Sequence, residues 1–336
     1  MASNRPNPPM VSAIVAVRDE RAQVEPCLRS IARQDYPADR IEILLADGES
    51  QDGTREIVQW LAAEDPRIRL LDNPGGQISR GLNRAIAAAR GAVIVRVDAR
   101  SRLMPDYISQ CVHWLDETGA GNVGGHMKAV GEGWWGRAIA AVHRSRFGLG
   151  GGRFHDLSAS GDVDTVYLGA FRREVLTAVG AYDERLARNQ DIELNRRIRA
   201  QGRRIYLTPE IKSEYLCRSS LRSFLRRMFD TGRWNVATVR LSPGALSLRH
   251  FVPALFVLAL TAGALAALFS PLARVGLAGL VGVYALSVLM ATVAAARHGG
   301  AALLASLPIV FAALHISYGL GTWWGAISPP RAQPPS

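Results

Sequence analysis

The stretch "VSAIVAVRDERAQVEPCLRSIARQDYPADRIEILLAD", residues 11–47, decides the fold. VSAIVAV reads as a buried strand, AQVEPCLRSIARQ as an amphipathic helix, and IEILLAD as a second strand. The rhythm continues downstream. GESQDGTREIVQWLAAE opens on turn residues and becomes helical, and IRLLDN is a short strand. ISRGLNRAIAAARG is a helix ended by Gly91, and AVIVRVDA is another strand. Such alternation predicts an α/β fold in which helices wrap a parallel sheet. Ligands of these sheets bind beyond the carboxyl ends of the strands. Those ends carry RDE (18–20), DGES (47–50) and DAR (98–100), so each delivers an acid to one charged crevice. At the last of them Asp98 stands among Arg96, Arg100 and Arg102.

Charge is unevenly spread over the 336 residues. The net charge of +11 belongs mostly to the part before residue 250, and an apolar portion follows it. A basic domain beside an apolar tail suits a membrane surface, and no nucleic-acid-binding signature accompanies the arginines. The three cysteines, Cys27, Cys111 and Cys217, are widely spaced. Their number and spacing suit neither a disulfide framework nor a metal knuckle, which leaves packing thiols in a reducing compartment. MASNRPNPPM lacks the apolar core of a secretory signal, so residues 1–10 read as disordered and the first domain as cytosolic.

Three apolar stretches near the C-terminus, about 251–270, 275–296 and 301–327, each reach the roughly 20 residues of a membrane span. The alternative, a buried soluble bundle, requires three successive helices without a polar face. Arg240, Arg249 and His250 precede the first stretch, Arg274 lies in the first hairpin, and Arg297 and His298 lie in the second. Positive-inside counting favours a cytosolic N-terminal domain and an outward C-terminus. SSLRSFLRRMFDTGRWNVATVRLSP and EGWWGRAIAAVHRSRFG mix aromatic and aliphatic residues with arginines, as helices in a membrane interface do. Packing against the N-terminal domain is the alternative for both.

Seven segments in order carry a resemblance: VSAIVAVRDE, ILLADGESQDGT, NPGGQISRGLNRAIAAARG, VIVRVDARSRLMPDYI, VYLGAFRREVLTAVGAYDE, NQDIELNRRIRAQG and DTGRW. Over residues 11 to about 240 the chain resembles a family 2 glycosyltransferase with a GT-A fold, a Rossmann-like mixed sheet with helices on both faces. With RSRFGLGGGRF (144–154) and the C-terminal stretches, its nearer likeness is to membrane-bound succinoglycan glucosyltransferases of the ExoA type. The implied division is a cytosolic GT-A domain over 11–218, an interface segment over 219–249, a transmembrane domain over 250–328 and a tail over 329–336. The implied location is the bacterial inner membrane.

The resemblance also implies roles. Ala16, Val17, Arg18, Glu20 and Asp47 would hold the nucleoside of a nucleotide sugar, Asp47 by accepting from uracil. A helix N-terminal acid is the structural alternative for Glu20. Arg80 or Asn83 would face the diphosphate and ribose, since a guanidinium forks onto phosphate. Asp191 maps to the general base that deprotonates the acceptor hydroxyl, with Gln190 where another acid is usual. A first-turn or N-cap Asp is the structural alternative, and the two roles are compatible. Glu193 points elsewhere on the same helix. DTGRW departs from the family's Q/RxxRW at Asp230, which argues for transfer of a single sugar over processive synthesis. Arg233 would meet the leaving diphosphate and Trp234 would stack on a sugar. His126 and His155 read as structural, and the glycine run 150–152 as a flexible loop.

Relatives place Asp-x-Asp or Asp-x-His where this chain has Asp98-x-Arg100, and the third residue there helps hold Mg²⁺ or Mn²⁺. A guanidinium cannot ligate a metal. Either Asp98 alone still anchors the ion, which is the reading favoured here, or Arg100 supplies positive charge in its place. The expected activity is inverting transfer of a hexose, glucose from UDP-glucose, onto a polyprenyl-linked saccharide in exopolysaccharide or cell-surface glycan assembly. UDP is released and a β-linkage forms, with neither a nucleic-acid nor an obligatory protein partner. A polyprenyl-phosphate glycosyl synthase and a noncatalytic membrane scaffold are the alternatives, the latter opposed by the retained Asp47, Asp98 and Asp191.

Overall fold

The structure, a computed structural model, describes residues 7–149 and 159–330 apart from the side chains of 298 and 299. The glycine run 150–152, His155, the start of the 1–10 stretch and residues 331–336 of the tail lie outside the described residues. Two compact units emerge, one of 7–128 with 159–216 and one of 129–149 with 217–330.

The first unit begins as the alternation predicts: β1 (Val11–Val17), α1 (Arg21–Ala32), β2 (Ile41–Asp47), α2 (Thr54–Glu64), β3 (Ile68–Asp72), α3 (Ile78–Ala88) and β4 (Val93–Asp98). There follow β5 (Ser101–Leu103), α4 (Tyr107–Thr118) and β6 (Asn122–Val130). After α5 (Gly133–Arg144) of the second unit come β7 (Gly161–Asp162), β8 (Tyr167–Arg172), α6 (Arg173–Val179), α7 (Gln190–Ala200) and β9 (Ile205–Leu216). The described strands form one sheet in the order β3-β2-β1-β4-β8-β6-β9-β5, with β7 beside β9. β1 through β4 pair parallel, whereas β8 joins β4, and β5 joins β9, antiparallel. The sheet is therefore mixed, as a GT-A fold requires.

Period-two alternation divides each central strand between two cores. Val11, Ala13, Val15, Val93, Val95 and Val97 join one cluster with α1, α2 and α4. Ile14, Leu44 and Ile94 face the other way, toward Leu82 of α3, Leu176 of α6 and Ile198 of α7. At the parallel strand ends the register sets Ala16 opposite Ala46 and Asp98, and Val17 opposite Asp47. One rim thus collects the predicted nucleotide-binding residues of three strands. All three cysteines are buried.

The second unit is helical: α5, α8 (Leu221–Leu241), α9 (Val252–Ala267), α10 (Pro271–Gly299) and α11 (Leu307–Ile327). The three expected apolar spans correspond to three helices, but only α10 is long and apolar enough, among described helices, to cross a membrane. At 16 residues α9 is about 24 Å long, short of a hydrocarbon core of about 30 Å. Polar and small residues dilute α11, and its inner face is committed to α8. Glycines make that seam: Gly232 lies against the Tyr318 carbonyl, Gly321 against Phe229 and Gly325 against Arg233. A Cβ at any of the three would collide with backbone, so the helices approach as closely as small residues permit. Phe224, Met228, Asn235 and Thr238 fill the buried side of α8 while Arg222, Arg226 and Arg240 stay exposed.

Candidate active site

Each acid at the rim has a built-in partner. Asp47 is 1% exposed, and its Oδ1 accepts from Ser50 Oγ at 2.6 Å. Arg55 Nη1 approaches Asp47 Oδ2 at 3.4 Å. The second strand end is therefore a closed turn, with Asp47 braced by its own loop. Glu20 begins α1 without capping it by side chain; its Oε2 instead accepts from Arg100 Nη1 at 2.8 Å. Arg100 also donates from Nε to the Leu216 carbonyl at 3.0 Å. Arg18 is half exposed, 3.8 Å from Asp19, and crosses the backbone of Gly76.

Asp98 pairs with Arg96. The guanidinium donates from Nε and Nη2 to Asp98 Oδ1 at 3.2 and 3.0 Å. Arg96 is 7% exposed, and its guanidinium carbon lies 5.7 Å from the centre of the Tyr182 ring. Burial disfavours its charge, yet Asp98, Tyr182 and Asp191, together with the hydrogen bond to Asp98, outweigh burial and raise its pKa further. Asp98 and Asp191 thus act on one cation. Burial pushes the Tyr182 hydroxyl up to about 12, so it stays protonated near neutrality. Burial, and then Asp98, push the Cys27 thiol to about 12, which makes it inert.

Asp191 stands in the first turn of α7, and the N-cap is Asn189, held in the left-handed region at φ 60°. Asp191 Oδ1 accepts from the Ile192 amide at 3.0 Å. Glu193 is turned away, bonded through both oxygens to Arg197 at 2.7–3.0 Å. Asp19, Glu49, Leu168 and Ala181 also have positive φ among the described residues. All but Leu168 lie in loops that follow β1, β2 and α6, and such strain costs of order 1–3 kcal/mol each.

Arg80 and Asn83 grip the chain leading to Asp191. Asn83 Nδ2 donates to the Tyr182 carbonyl at 2.9 Å and to Glu184 Oε1 at 3.0 Å, while its Oδ1 accepts from the Tyr182 amide at 3.0 Å. Arg80 Nε is 3.5 Å from Glu184 Oε2, and Ser79 Oγ donates to the Leu186 carbonyl at 2.6 Å. One face of α3 therefore fastens residues 182–186, and Asn83, expected at the diphosphate, has its amide engaged by that loop. His126 is buried in β6. Arg233 and Trp234 lie on α8 in the second unit, where Arg233 Nε is 3.4 Å from the Ser328 carbonyl.

Reading from the sequence missed Arg96 and Tyr182 as site residues. The available signal was a charge in VIVRVD, at a position whose alternation points it inward with Ile94.

The residues present do not fit a carboxylate-held divalent cation. Asp98 already has one oxygen and its charge met by Arg96, and the position two residues on is a guanidinium tied to Glu20. Among the described residues no three His, Cys, Asp or Glu side chains could hold a metal ion. Asp98, the residue expected to hold Mg²⁺ or Mn²⁺, is thus paired with a guanidinium.

A model of glycosyl transferase family 2 matches residues 12–180. The chain belongs to that family, and it is a glycosyltransferase. It is 31% identical over 320 residues to the succinoglycan biosynthesis protein ExoA of Rhizobium meliloti (strain 1021), covering 92% of this chain and 93% of that one. It is 25% identical over 230 residues, 66% of this chain and 71% of the other, to a dolichyl N-acetyl-alpha-D-glucosaminyl phosphate 3-beta-D-2,3-diacetamido-2,3-dideoxy-beta-D-glucuronosyltransferase of Methanococcus voltae. The fold matches the mannosyltransferase PcManGT of Pyrobaculum calidifontis in complex with GDP-Man and Mn²⁺. That match has a TM-score of 0.59 and 20% identity, and covers 95% of this chain and 88% of that one.

Proposed function

We propose that the protein is an inverting hexosyltransferase that moves glucose from UDP-glucose onto a polyprenyl-linked saccharide, releasing UDP and forming a β-linkage in exopolysaccharide or cell-surface glycan assembly. The observation that carries this reading is the rim of strand ends, where the register sets Asp47 and Asp98 beside the end of β1 and Asp98 pairs with the buried Arg96 at 3.0 Å, with Asp191 at the start of α7. The rim of Ala16, Val17, Arg18, Glu20 and Asp47 receives the nucleoside, and Arg100 lies beside the diphosphate. Asp191 takes the proton of the acceptor hydroxyl as its oxygen bonds to the anomeric carbon and the bond to the UDP oxygen breaks. A single displacement of this kind inverts the anomeric configuration, and a positioned base contributes on the order of 10² to 10⁴ in rate.

A lipid-borne acceptor is supported by the name of the Methanococcus relative, which acts on a dolichyl-linked sugar. The second unit adds two supports. Outward Leu286, Leu289 and Met290 on α10 are each more than half exposed, a surface for lipid and not for water. Between α5 and α10 runs a groove of about 570 Å³, with Ala141, Phe147, Met290 and Ala294 along it and Arg144 and Arg146 in its wall. An isoprenoid chain and its phosphate match that pairing of apolar wall and cation. On this reading Arg233 and Trp234 serve the diphosphate and acceptor, and the enzyme sits in the bacterial inner membrane with its catalytic unit in the cytosol.

The test is purified full-length protein given a panel of radiolabelled nucleotide sugars and bacterial membrane lipid extract. Label from UDP-glucose should enter lipid-linked saccharide. Label on lipid phosphate alone would establish a polyprenyl-phosphate glycosyl synthase instead, and intact donor throughout would refute an enzymatic role.

A further inference from the structure

The donor end of the site contains a cation of its own. β4 sends Ile94 and Arg96 to the same face of the sheet, where aliphatic side chains of β1, β2 and α3 make the core. A guanidinium buried there is unfavourable unless opposing charge and hydrogen bonds compensate. Compensation comes from Asp98, whose Oδ1 takes two of its N–H groups, and from the ring face of Tyr182.

A divalent ion in a donor site of this class does electrostatic work, since it offsets carboxylate and diphosphate charge as the nucleotide departs. Here the Asp98 carboxylate is already offset at 3.0 Å, and the neighbouring position is occupied by Arg100. We propose that Arg96 is the built-in cation of the donor site, a positioning residue that holds Asp98 and offsets its charge so that nucleotide sugar binds without a protein-held divalent ion. The proposal rests on the donor-site reading above. Its corollary is an inversion of metal dependence. Without Arg96, Asp98 becomes an unpaired carboxylate facing the diphosphate, and only an added divalent ion can reconcile the two.

The experiment is calorimetric titration of UDP-glucose into the full-length protein, in excess EDTA and in saturating Mn²⁺. Wild-type Kd should agree between the two buffers within about threefold. Arg96→Met should bind about tenfold or more weakly in EDTA and recover in Mn²⁺, a coupling of the size that contacting charges show. Arg96→Lys, which keeps the charge, should resemble wild type. Arg96→Met combined with Asp98→Asn should regain binding in EDTA, because no unpaired acid remains, and a merely structural Arg96 would not produce that recovery. Wild-type binding that appears only with Mn²⁺ overturns the proposal and leaves the donor reading standing, and needs no variant to fold. Absence of UDP-glucose binding in both buffers overturns the donor reading as well.

Discussion

Arg96 and Asp98, two residues apart on β4, point to the same side of the sheet, and two of the N–H groups of Arg96, on Nε and Nη2, meet one oxygen, Oδ1. The lone acid among arginines is therefore a paired acid, and its partner is the arginine two residues before it. The cation that reading from the sequence set against the metal, Arg100, serves Glu20 and the end of β9.

Asp191→Asn keeps the shape of the first turn of α7 and removes the proton acceptor. Turnover should fall on the order of 10² to 10⁴ while UDP-glucose affinity stays within a few-fold. Paired measurements of kcat and donor Kd check this, and a loss confined to donor affinity would move Asp191 out of the base role.

Asn83→Ala should loosen the loop that α3 fastens. Three hydrogen bonds to Tyr182 and Glu184 disappear, at about 1–3 kcal/mol together. Because that loop leads to Asp191, kcat should drop more than donor affinity. Hydrogen exchange over residues 181–190 should rise, and unchanged exchange there would contradict the fastening.

The seam of α8 and α11 depends on glycine. Gly321→Val drives a branched side chain into the Phe229 backbone and should destabilise the protein by about 1–3 kcal/mol or more. Gly279→Ala on α10, where a Cβ meets nothing within 4 Å, should leave thermal unfolding unchanged. Equal shifts for the two variants would argue against close packing at the seam.

Acid should weaken the first unit through Asp65. Hydrogen bonds from Arg67 hold that carboxyl below its ordinary value, with burial opposing them. A folded pKa below the unfolded one gives stability that is present above about pH 4 and lost as pH falls through the folded value. Asp65→Asn should be less stable than wild type near neutrality, and the two unfolding temperatures should converge in acid. A gap that persists in acid would show that Asp65 contributes by something other than its charge.

The parallel half of the sheet was legible because VSAIVAV, IEILLAD and VIVRVD are short apolar runs separated by helices of strong amphipathic pattern. β7 and the three-residue β5 were not, since strands so short have no period to read and exist through pairing with β9. Asp47, Asp98 and Asp191 could be found as acids at element ends. Their partners could not. Ser50 is local to the DGES turn, but Tyr182 reaches the site only through tertiary packing, and Arg96 was one of three arginines around Asp98 until the strand's alternation turned it inward. Three apolar stretches were equally plain, but hydropathy counts residues and does not show that one face of α11 is taken by α8.

The most direct test of the account is the stereochemistry and destination of the transferred sugar. Purified enzyme, UDP-glucose and extracted membrane lipid should yield one UDP per glucose transferred, with the glucose β-linked to a lipid-borne saccharide by nuclear magnetic resonance. An α-linked product, or UDP-glucose left intact with every lipid fraction, would contradict it.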